Sequence, residues 1–354
     1  MGFVKYAYLG YANLRYIESN EDEDFYEVLF YKLLHLPMSN PLVTVVCLCY
    51  NQAPYVTQAI DSILSQTYTP IEIIIIDDQS TDHSIEVIQR KIKKLPHIQF
   101  IISPQNQGNC KAFNQALTIA KGKYIIDLAA DDIMYPERVA LQVEAFEKLS
   151  EDYAIVFTDT HFINENGKRI RSTYYKRNDR GQLLERVPSG DLYKRVLQNP
   201  PVMSPPTQMY RTSVIQRIGG YDDNLSYEDY DLWIRLGRNH KFYFLDEITT
   251  AKRELSTALH KVFYFKKNNK HLWSTLKICR KAIMLNENEE ENRALAKSIR
   301  YHMRLSLFTE NFDIGIEFGK LLKELQLIRR RDRFWINLLH WRVPLNWAYR
   351  IVRS

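Results

Sequence analysis

Cysteine is scarce in this chain. There are four in 354 residues, none in a CxxC pair and none clustered with histidine. That argues against a disulfide framework or a zinc module, and reduced cytosolic thiols are the simplest reading. Cys47 and Cys49 fall on one face of a predicted strand, while Cys110 and Cys279 stand alone. No apolar run reaches the length of a membrane span. The nine histidines show no metal-ligand spacing, and no fixed-period repeat is present. Residues 1–38 are Tyr-rich and acidic, with neither a basic start nor an apolar h-region, so no secretory signal is expected. What remains is ordinary globular composition: 45% apolar residues and enough length for two domains, or one large domain with an extension.

The net charge of +6 is unevenly spread: residues 1–40 carry −3, residues 41–254 carry −2 and residues 255–354 carry +11. Over the last stretch Arg329, Arg330, Arg331, Arg333, Arg342, Arg350 and Arg353 interleave with Phe334, Trp335, Leu338, Leu339, Trp341, Trp347, Tyr349 and Ile351. Two readings stand. One is an interfacial helix on an anionic membrane surface. The other is a last helix packing its Trp residues on the body, with Arg outward. No nucleic-acid motif accompanies the charge, so no nucleic-acid partner is expected.

Along the chain, Phe25, Val28, Leu29, Leu33 and Leu36 have helical spacing before a Pro37–Pro41 boundary. From Leu42 the texture changes. Strands are predicted over Val43–Cys49, Ile71–Ile76, Ile98–Ile102, Lys123–Leu128 and Tyr153–Phe157, each separated from the next by a helical pattern. That rhythm means an α/β fold with a parallel, doubly wound sheet. Residues 159–200 read as loops with a short helix near 191–198. A strand over Thr207–Tyr210, a tight turn at Gly219-Gly220, a helix from Ser226 and a last strand over 241–246 follow. Residues 257–325 read as helical throughout, with Glu287–Glu291 a solvated charge block between helices and the whole offering an interface for a homo-oligomer.

The chemistry gathers where predicted strands end. The run through Leu128 empties into Asp131 and Asp132, and Pro136 opens the next helix. Open α/β sheets hold ligands at the carboxyl ends of their strands. Two adjacent carboxylates without a nearby Lys or Arg in sequence repel unless a cation arrives, and oxygen ligands suit Mg²⁺ or Mn²⁺ shared with substrate phosphates. On this motif alone, a helix cap at Asp131 and a solvated turn at Asp132 account for the residues equally. The other strand ends carry Asn51, the Asp77-Asp78 pair and Asn106–Gly108.

Taken in order, six elements resemble the GT-A glycosyltransferases of family 2: Val46–Asn51; Ala59–Thr67; Ile76–Asp82; Asn106–Gly108 with Asn114; Gly122–Tyr124 leading to Asp131-Asp132; and Gly219–Asp222 leading to Glu228–Trp233. The resemblance covers about residues 41–255. It implies a Rossmann-like, mainly parallel sheet flanked by helices, here with a C-terminal helical extension. It implies a metal at Asp132, with Asp131 on ribose or metal, and a nucleotide held by Asp78, Asp77 and Asn51, Asp78 reading the base. The family pattern has a further Asp where this chain has Ala129. Lys111 is a candidate for a phosphate, and a solvated helix Lys is the plainer reading. Asp82 reads as a cap. Within Glu228-Asp-Tyr-Asp-Leu-Trp233 the resemblance makes Asp229 the base, with Glu228 second. First-turn acids favoured by the helix dipole are the plain account of both. Trp233 reads as core and His260 as surface.

These expectations converge on a metal-dependent, inverting glycosyltransferase that uses Mn²⁺ or Mg²⁺. It would move a sugar from a nucleotide-sugar donor to a glycan or lipid-linked acceptor in cell-surface polysaccharide synthesis. A UDP-sugar is the first choice of donor, a dTDP- or GDP-sugar the second. The competing account is a non-catalytic nucleotide-sugar-binding or scaffolding protein on the same fold, motivated by Ala129. The expected organisation is an N-terminal helical extension (1–40), a GT-A domain (41–255), a helical region (256–326) and a basic Trp/Arg-rich end (327–354). The expected place is the cytoplasm, peripheral at the inner face of the cell membrane.

Overall fold

Val43 to Cys49 is buried on both faces at nearly every position, as a central strand of a parallel sheet must be. In the computed structural model, which describes residues 40–171, 173–198, 202–255 and 269–346, this strand (β1, Val43–Cys49) pairs in parallel with β2 (Ile71–Asp77) and β4 (Tyr124–Ala129). β3 (Gln99–Ile102) extends the parallel block beyond β2. Helices α1 (Val56–Leu64), α2 (Ser84–Ile92) and α3 (Asn109–Ile119) connect these strands.

The second half is mixed. β5 (Ile133–Met134) leads to α4 (Arg138–Lys148), β6 (Tyr153–Ile163), β7 (Arg169–Arg171) and α5 (Tyr193–Gln198). Then come β8 (Met209–Arg211), α6 (Thr212–Arg217), α7 (Glu228–Gly237) and β9 (Lys241–Arg253). Among the described residues the sheet order is β3-β2-β1-β4-β8-β6-β9-β5, with β7 on β6. β8 runs antiparallel between β4 and β6, so the sheet is mainly parallel but not a simple doubly wound one.

Several expected elements differ in extent. The strand expected over Tyr153–Phe157 continues to Ile163, and the one over 241–246 continues to Arg253. The extra segments pair with each other in parallel across a register irregularity. Four of their buried positions are threonines, Thr158, Thr160, Thr249 and Thr250, which break the apolar pattern. Thr158 and Thr249 share a 2.6 Å hydroxyl hydrogen bond, and Thr160 Oγ1 donates to the Thr250 carbonyl at 2.9 Å. A hydroxyl satisfied within the sheet is buried at little cost, which an apolar pattern cannot register. Instead of a strand from Thr207, one 3₁₀ turn spans Pro205–Thr207 before β8 begins.

One layer of core packs Val45 and Cys47 against Ala59, Ile60 and Ile63 of α1 and Val139 and Phe146 of α4. The opposite layer packs Val46 and Ile74 against Phe113 of α3 and Trp233 of α7. It continues without a break into α8 (Lys270–Leu285), α9 (Glu289–Phe308) and α10 (Phe312–Glu324). The helices expected before residue 39 and over 256–268 lie outside the described residues. The charge block is solvated at Glu287–Glu290, where α8 gives way to α9, and departs from that reading only at Glu291. Glu289–Glu291 form the first turn of α9, Asn288 accepts from the Glu291 N–H, and Glu291 is buried against Arg238 at 2.8 Å.

The last helix, α11 (Arg330–His340), docks on this bundle. Gly315 of α10 leaves the space that Leu339 fills, and any Cβ there would collide with it. Asp332 meets Arg300 at 2.9 Å, both buried. Between α9 and α10, His302 is buried, with Nδ1 2.9 Å from the Ser298 carbonyl and its ring stacked on Phe318. Burial pulls its pKa down to about 4. The folded-state value lies below the unfolded one, so the unfolded chain takes up the proton first as pH falls. His302 should therefore cost about 2 kcal/mol of stability between pH 7 and pH 5. Urea unfolding at both pH values should show a smaller acid loss for His302→Leu than for wild type; an equal loss removes His302 as the sensor.

Candidate functional site

The three parallel strands β1, β2 and β4 deliver their loops to one sheet edge. The loops are tied to one another before any ligand is considered. Asn51 adopts a left-handed backbone, φ 55°, tolerated by Asn more than by most residues. Its side-chain oxygen accepts from the N–H groups of Thr81 at 2.8 Å and Asp82 at 3.3 Å, while its own N–H donates to Ser80 Oγ. Asp82 accepts from the Ala53 and Ser84 N–H groups, and the N-cap of α2 is the next residue, His83, not Asp82 as expected.

The Asp77-Asp78 pair divides. Asp77 is fully buried, and its two oxygens accept from the Ser80 N–H and Ser80 Oγ, each at 2.7 Å. Asp77, the last strand position, thus braces the loop that the resemblance assigns to the nucleotide. Asp78 instead accepts from the Gln107 N–H at 3.1 Å and the Gly108 N–H at 2.7 Å. Gly108 at φ 90° is the residue that lets this backbone turn onto a carboxylate. Lys111, on α3, lies 3.6 Å from Asp223 and is half exposed.

Asp132 is buried, and its carboxylate accepts from the Arg253 N–H at 2.8 Å. Asp131, half-buried, offers its peptide oxygen to Arg253 Nε at 3.0 Å. Burial, and then the neighbouring Asp131 charge, push the Asp132 carboxyl up to about 7. Asp131 is also raised by burial. The expectation that no Lys or Arg stands near this pair holds only along the chain, and the fold overturns it. β9 passes beside the pair and brings Lys252 and Arg253. Arg253 is committed elsewhere, donating to the Asn164 and Glu165 carbonyls and Gln58 Oε1 and lying over the Tyr55 ring. Lys252, the next residue along the strand, favours the ionised forms of Asp131, Asp132 and Asp229 alike.

Asp229 is carried by a different element. It lies in the first turn of α7, beside Glu228, whose carboxylate accepts from Asn109 Nδ2 at 2.6 Å. Asp229 is half-buried, and burial followed by the charges of Glu228 and Asp127 raises its carboxyl well above the usual range. Trp233 is fully buried, its indole N–H donating to Gln208 Oε1 at 2.9 Å, in keeping with a core role. Asp231, two residues on from Asp229, is held by Arg235 and by Lys281 of α8. His260 lies outside the described residues.

Two groups escaped the reading of the sequence. Asp127 sits inside β4, accepts from the Tyr221 hydroxyl at 3.1 Å and is pushed up to about 7, chiefly by burial. The signal was there: one acid within an otherwise apolar strand. Arg138 is fully buried, donating to Gln142 Oε1, Thr250 Oγ1 and the Gln208 carbonyl, each at 3.1 Å. Its charge favours the ionised forms of both Asp132 and Asp127. Among the described residues no three His, Cys, Asp or Glu side chains converge as a ready metal cage, and no helix is long and apolar enough to cross a membrane.

Comparison with known proteins places this architecture. Residues 44–219 match the model of the family described as Glycosyl transferase family 2. An uncharacterized glycosyltransferase of Methanocaldococcus jannaschii is 30% identical over 223 residues, 61% of this chain and 72% of the relative. An uncharacterized glycosyltransferase of Rickettsia prowazekii is 30% identical over 217 residues, 60% of this chain and 64% of that protein. The chondroitin synthase of Pasteurella multocida is 27% identical over 312 residues, 86% of this chain; the match spans only 30% of the synthase's length. Among solved structures, Staphylococcus aureus TarS 1–349 with UDP superposes with a TM-score of 0.62 at 16% identity, over 85% of this chain and 87% of that one. The mannosyltransferase PcManGT of Pyrobaculum calidifontis, with GDP-Man and Mn²⁺, gives 0.53 at 15% identity, over 90% and 92%. The fold is that of the GT-A glycosyltransferases, and the chain belongs to glycosyl transferase family 2.

Proposed function

We propose that this chain is an inverting glycosyltransferase that transfers a sugar from a UDP-sugar to a hydroxyl of a growing cell-surface glycan or lipid-linked acceptor. The observation that carries the reading is the geometry at the strand ends: β9 holds the Asp132 carboxylate through the Arg253 N–H at 2.8 Å and the Asp131 carbonyl through Arg253 Nε at 3.0 Å, on the edge to which β1, β2 and β4 bring their polar loops. Asp229 takes the proton of the acceptor hydroxyl as it attacks the anomeric carbon, with Glu228 the second candidate. Asp78 and Asn51 form the floor for the base, Asp131 faces ribose or metal, and Lys111 is the candidate for a phosphate.

The donor set fits a divalent cation. Asp132 and Asp131 are adjacent oxygen ligands whose mutual repulsion a cation would relieve, and two carboxylates plus substrate phosphates is a usual Mg²⁺ or Mn²⁺ arrangement. When bound, such an ion supplies positive charge where the diphosphate departs. UDP, GDP and dTDP, each with and without Mn²⁺, should be compared by thermal shift, since ligands that bind only the native state raise its melting point. The expected result is the largest rise for UDP, increased by Mn²⁺ in wild type and not in Asp132→Asn. No rise with any nucleotide overturns the donor reading.

The C-terminal surface supports membrane contact in a narrower form than composition suggested. α11 buries Leu339 and packs Trp335 and Ile336 on the bundle, yet Phe334 and Trp341 stay exposed among Arg330, Arg331, Arg333 and Arg342. Trp347, Tyr349, Ile351, Arg350 and Arg353 lie outside the described residues. Removing everything beyond residue 326 would strip Leu339 from its slot, so point changes are the sharper test. Phe334→Ser/Trp341→Ser should reduce co-sedimentation with phosphatidylserine vesicles several-fold while the UDP thermal shift is retained. Unchanged sedimentation removes the membrane reading.

A further inference from the structure

Residues 41–254 carry −2 in all, but the charge within them is uneven. Residues 164–186 hold seven basic and three acidic side chains, net +4, which leaves −6 for the remainder. This segment holds the β6–β7 turn, β7 and residues 173–186. Arg171 and Arg177 meet acids, Glu254 and the pair Asp159 and Asp246. Lys168, Lys176, Arg180 and Arg186 are exposed and enter no ion pair among the described residues. The loop that carries three of them is firmly built. Asp159, fully buried on β6, accepts from the N–H groups of Tyr174 at 3.0 Å and Tyr175 at 3.3 Å and from Arg177 Nε at 2.8 Å. Arg177 also donates to the Gly181 carbonyl at 2.8 Å and to Asp246 at 2.7 Å. A buried ion pair offsets its desolvation only when its hydrogen bonds are filled, as they are here. Those bonds wind the loop around Arg177 and leave Lys176 and Arg180 in solvent.

The hairpin stands beside the Asp131-Asp132 pair. One guanidinium, that of Arg253, donates to the Asn164 carbonyl at 2.9 Å, the Glu165 carbonyl at 3.0 Å and the Asp131 carbonyl at 3.0 Å. Phe162 pairs with Arg171 on one side and with Lys252 on the other, and directly paired residues share a face. The Arg171 guanidinium lies 3.4 Å from the centre of the Phe162 ring. Arg253 reaches Gln58 of α1, so alternation along β9 turns Lys252 to the other side of the sheet. β7 pairs only with β6 among the described residues, so this row starts at an open edge and ends next to the residue that holds Asp132. We propose that the β6–β7 hairpin and the 173–186 loop bind an anionic acceptor glycan. Its repeating carboxylate or phosphate groups meet Lys168, Lys176 and Arg180, and its hydroxyl end lies toward the Asp131-Asp132 pair. The inference rests on the glycosyltransferase reading and names the charge of the acceptor. Exposed cations on an otherwise acidic body attract a negative partner to that one place. A row that leads to a strand end suits a chain better than a flat membrane.

The test is fluorescence anisotropy of labelled oligosaccharides with the full chain, without donor, at low and at physiological salt. Oligogalacturonate carries carboxylates, oligo(glycerol phosphate) carries phosphates, and dextran of matched length carries neither. Wild type should bind at least one acidic probe about tenfold more tightly than dextran, and salt should weaken that binding. The tighter acidic probe tells carboxylate from phosphate. Lys168→Gln/Lys176→Gln/Arg180→Gln should weaken it about tenfold, three surface charges at roughly twofold to threefold each. The same variant should keep the wild-type melting temperature, UDP thermal shift and sedimentation with phosphatidylserine vesicles. Acidic and neutral probes bound alike, or acidic binding untouched by the variant, overturn the proposal. Labelled poly(U) bound more tightly than either acidic glycan, and lost in the variant, overturns it too, because the surface would then serve a nucleic acid. The glycosyltransferase reading fails separately, if wild type gives no thermal shift with any nucleotide.

Discussion

Asp229→Asn is expected to lower sugar transfer by about 10²–10⁴-fold, the span that general-base catalysis contributes. The substitution is nearly isosteric and removes the only feature the role requires, a carboxylate that can accept a proton. Asp229 is half-buried with Glu228 and Asp127 nearby, so an amide there also relieves like-charge repulsion and should leave the fold as stable as before or more so. Donor binding should persist, because Asp78, Asn51 and the Asp131-Asp132 pair lie on other elements. The measurement is UDP release and labelled-sugar transfer by wild type and variant, alongside the UDP thermal shift. A variant that binds UDP and turns over like wild type would end the assignment. Equal release by both, no faster than the uncatalysed background, would favour a non-catalytic binding protein on this fold, the account that Ala129 first raised.

Arg138→Ala should be the most destabilising single change discussed. The guanidinium is fully buried and donates to three acceptors from three elements: Gln142 within α4, Thr250 on β9 and the Gln208 carbonyl before β8. Its charge also faces Asp132 and Asp127. Breaking a buried charged network by removing one partner costs about 3–5 kcal/mol, a third or more of the stability of many domains. For a chain of this size that corresponds to a fall in Tm of about 4–7 °C. Thermal unfolding followed by circular dichroism gives the answer. A shift of no more than about 2 °C would mean that water or rearranged side chains replace the guanidinium, and that α4 is not held to β9 through it.

How much of this was legible in advance differs from element to element. β1, β2 and β4 were readable because a strand buried on both faces is a continuous apolar run, and the loops after them carry Asn, Asp and Gly for local reasons. β6 and β9 were cut short because Thr158, Thr160, Thr249 and Thr250 are polar in sequence and satisfied in the sheet. A strand was expected over Thr207–Tyr210, overlapping β8, but its place in the sheet was not readable. It is an antiparallel insertion between β4 and β6 by residues some eighty positions after β4, and pairing partners at that separation leave no mark in local periodicity. Within the candidate site, Asp77 and Asp78 look interchangeable on paper. Side-chain alternation at the strand end separates them, one into the core against Ser80, the other toward Gln107 and Gly108.

The sequence alone determined the strand and helix order, the polar loops that the parallel strands carry to one edge, and the family, because periodicity, turn chemistry and motif spacing are local properties of the chain. The tertiary structure alone decided which acids share an environment. Lys252 and Arg253 reach Asp131 and Asp132 only because β9 pairs with β5 and β6. Asp127 meets Tyr221 only because the Gly219-Gly220 turn sets that ring over β4. Charge interactions depend on distance and burial in space, and neither quantity is written in the separation of residues along a chain.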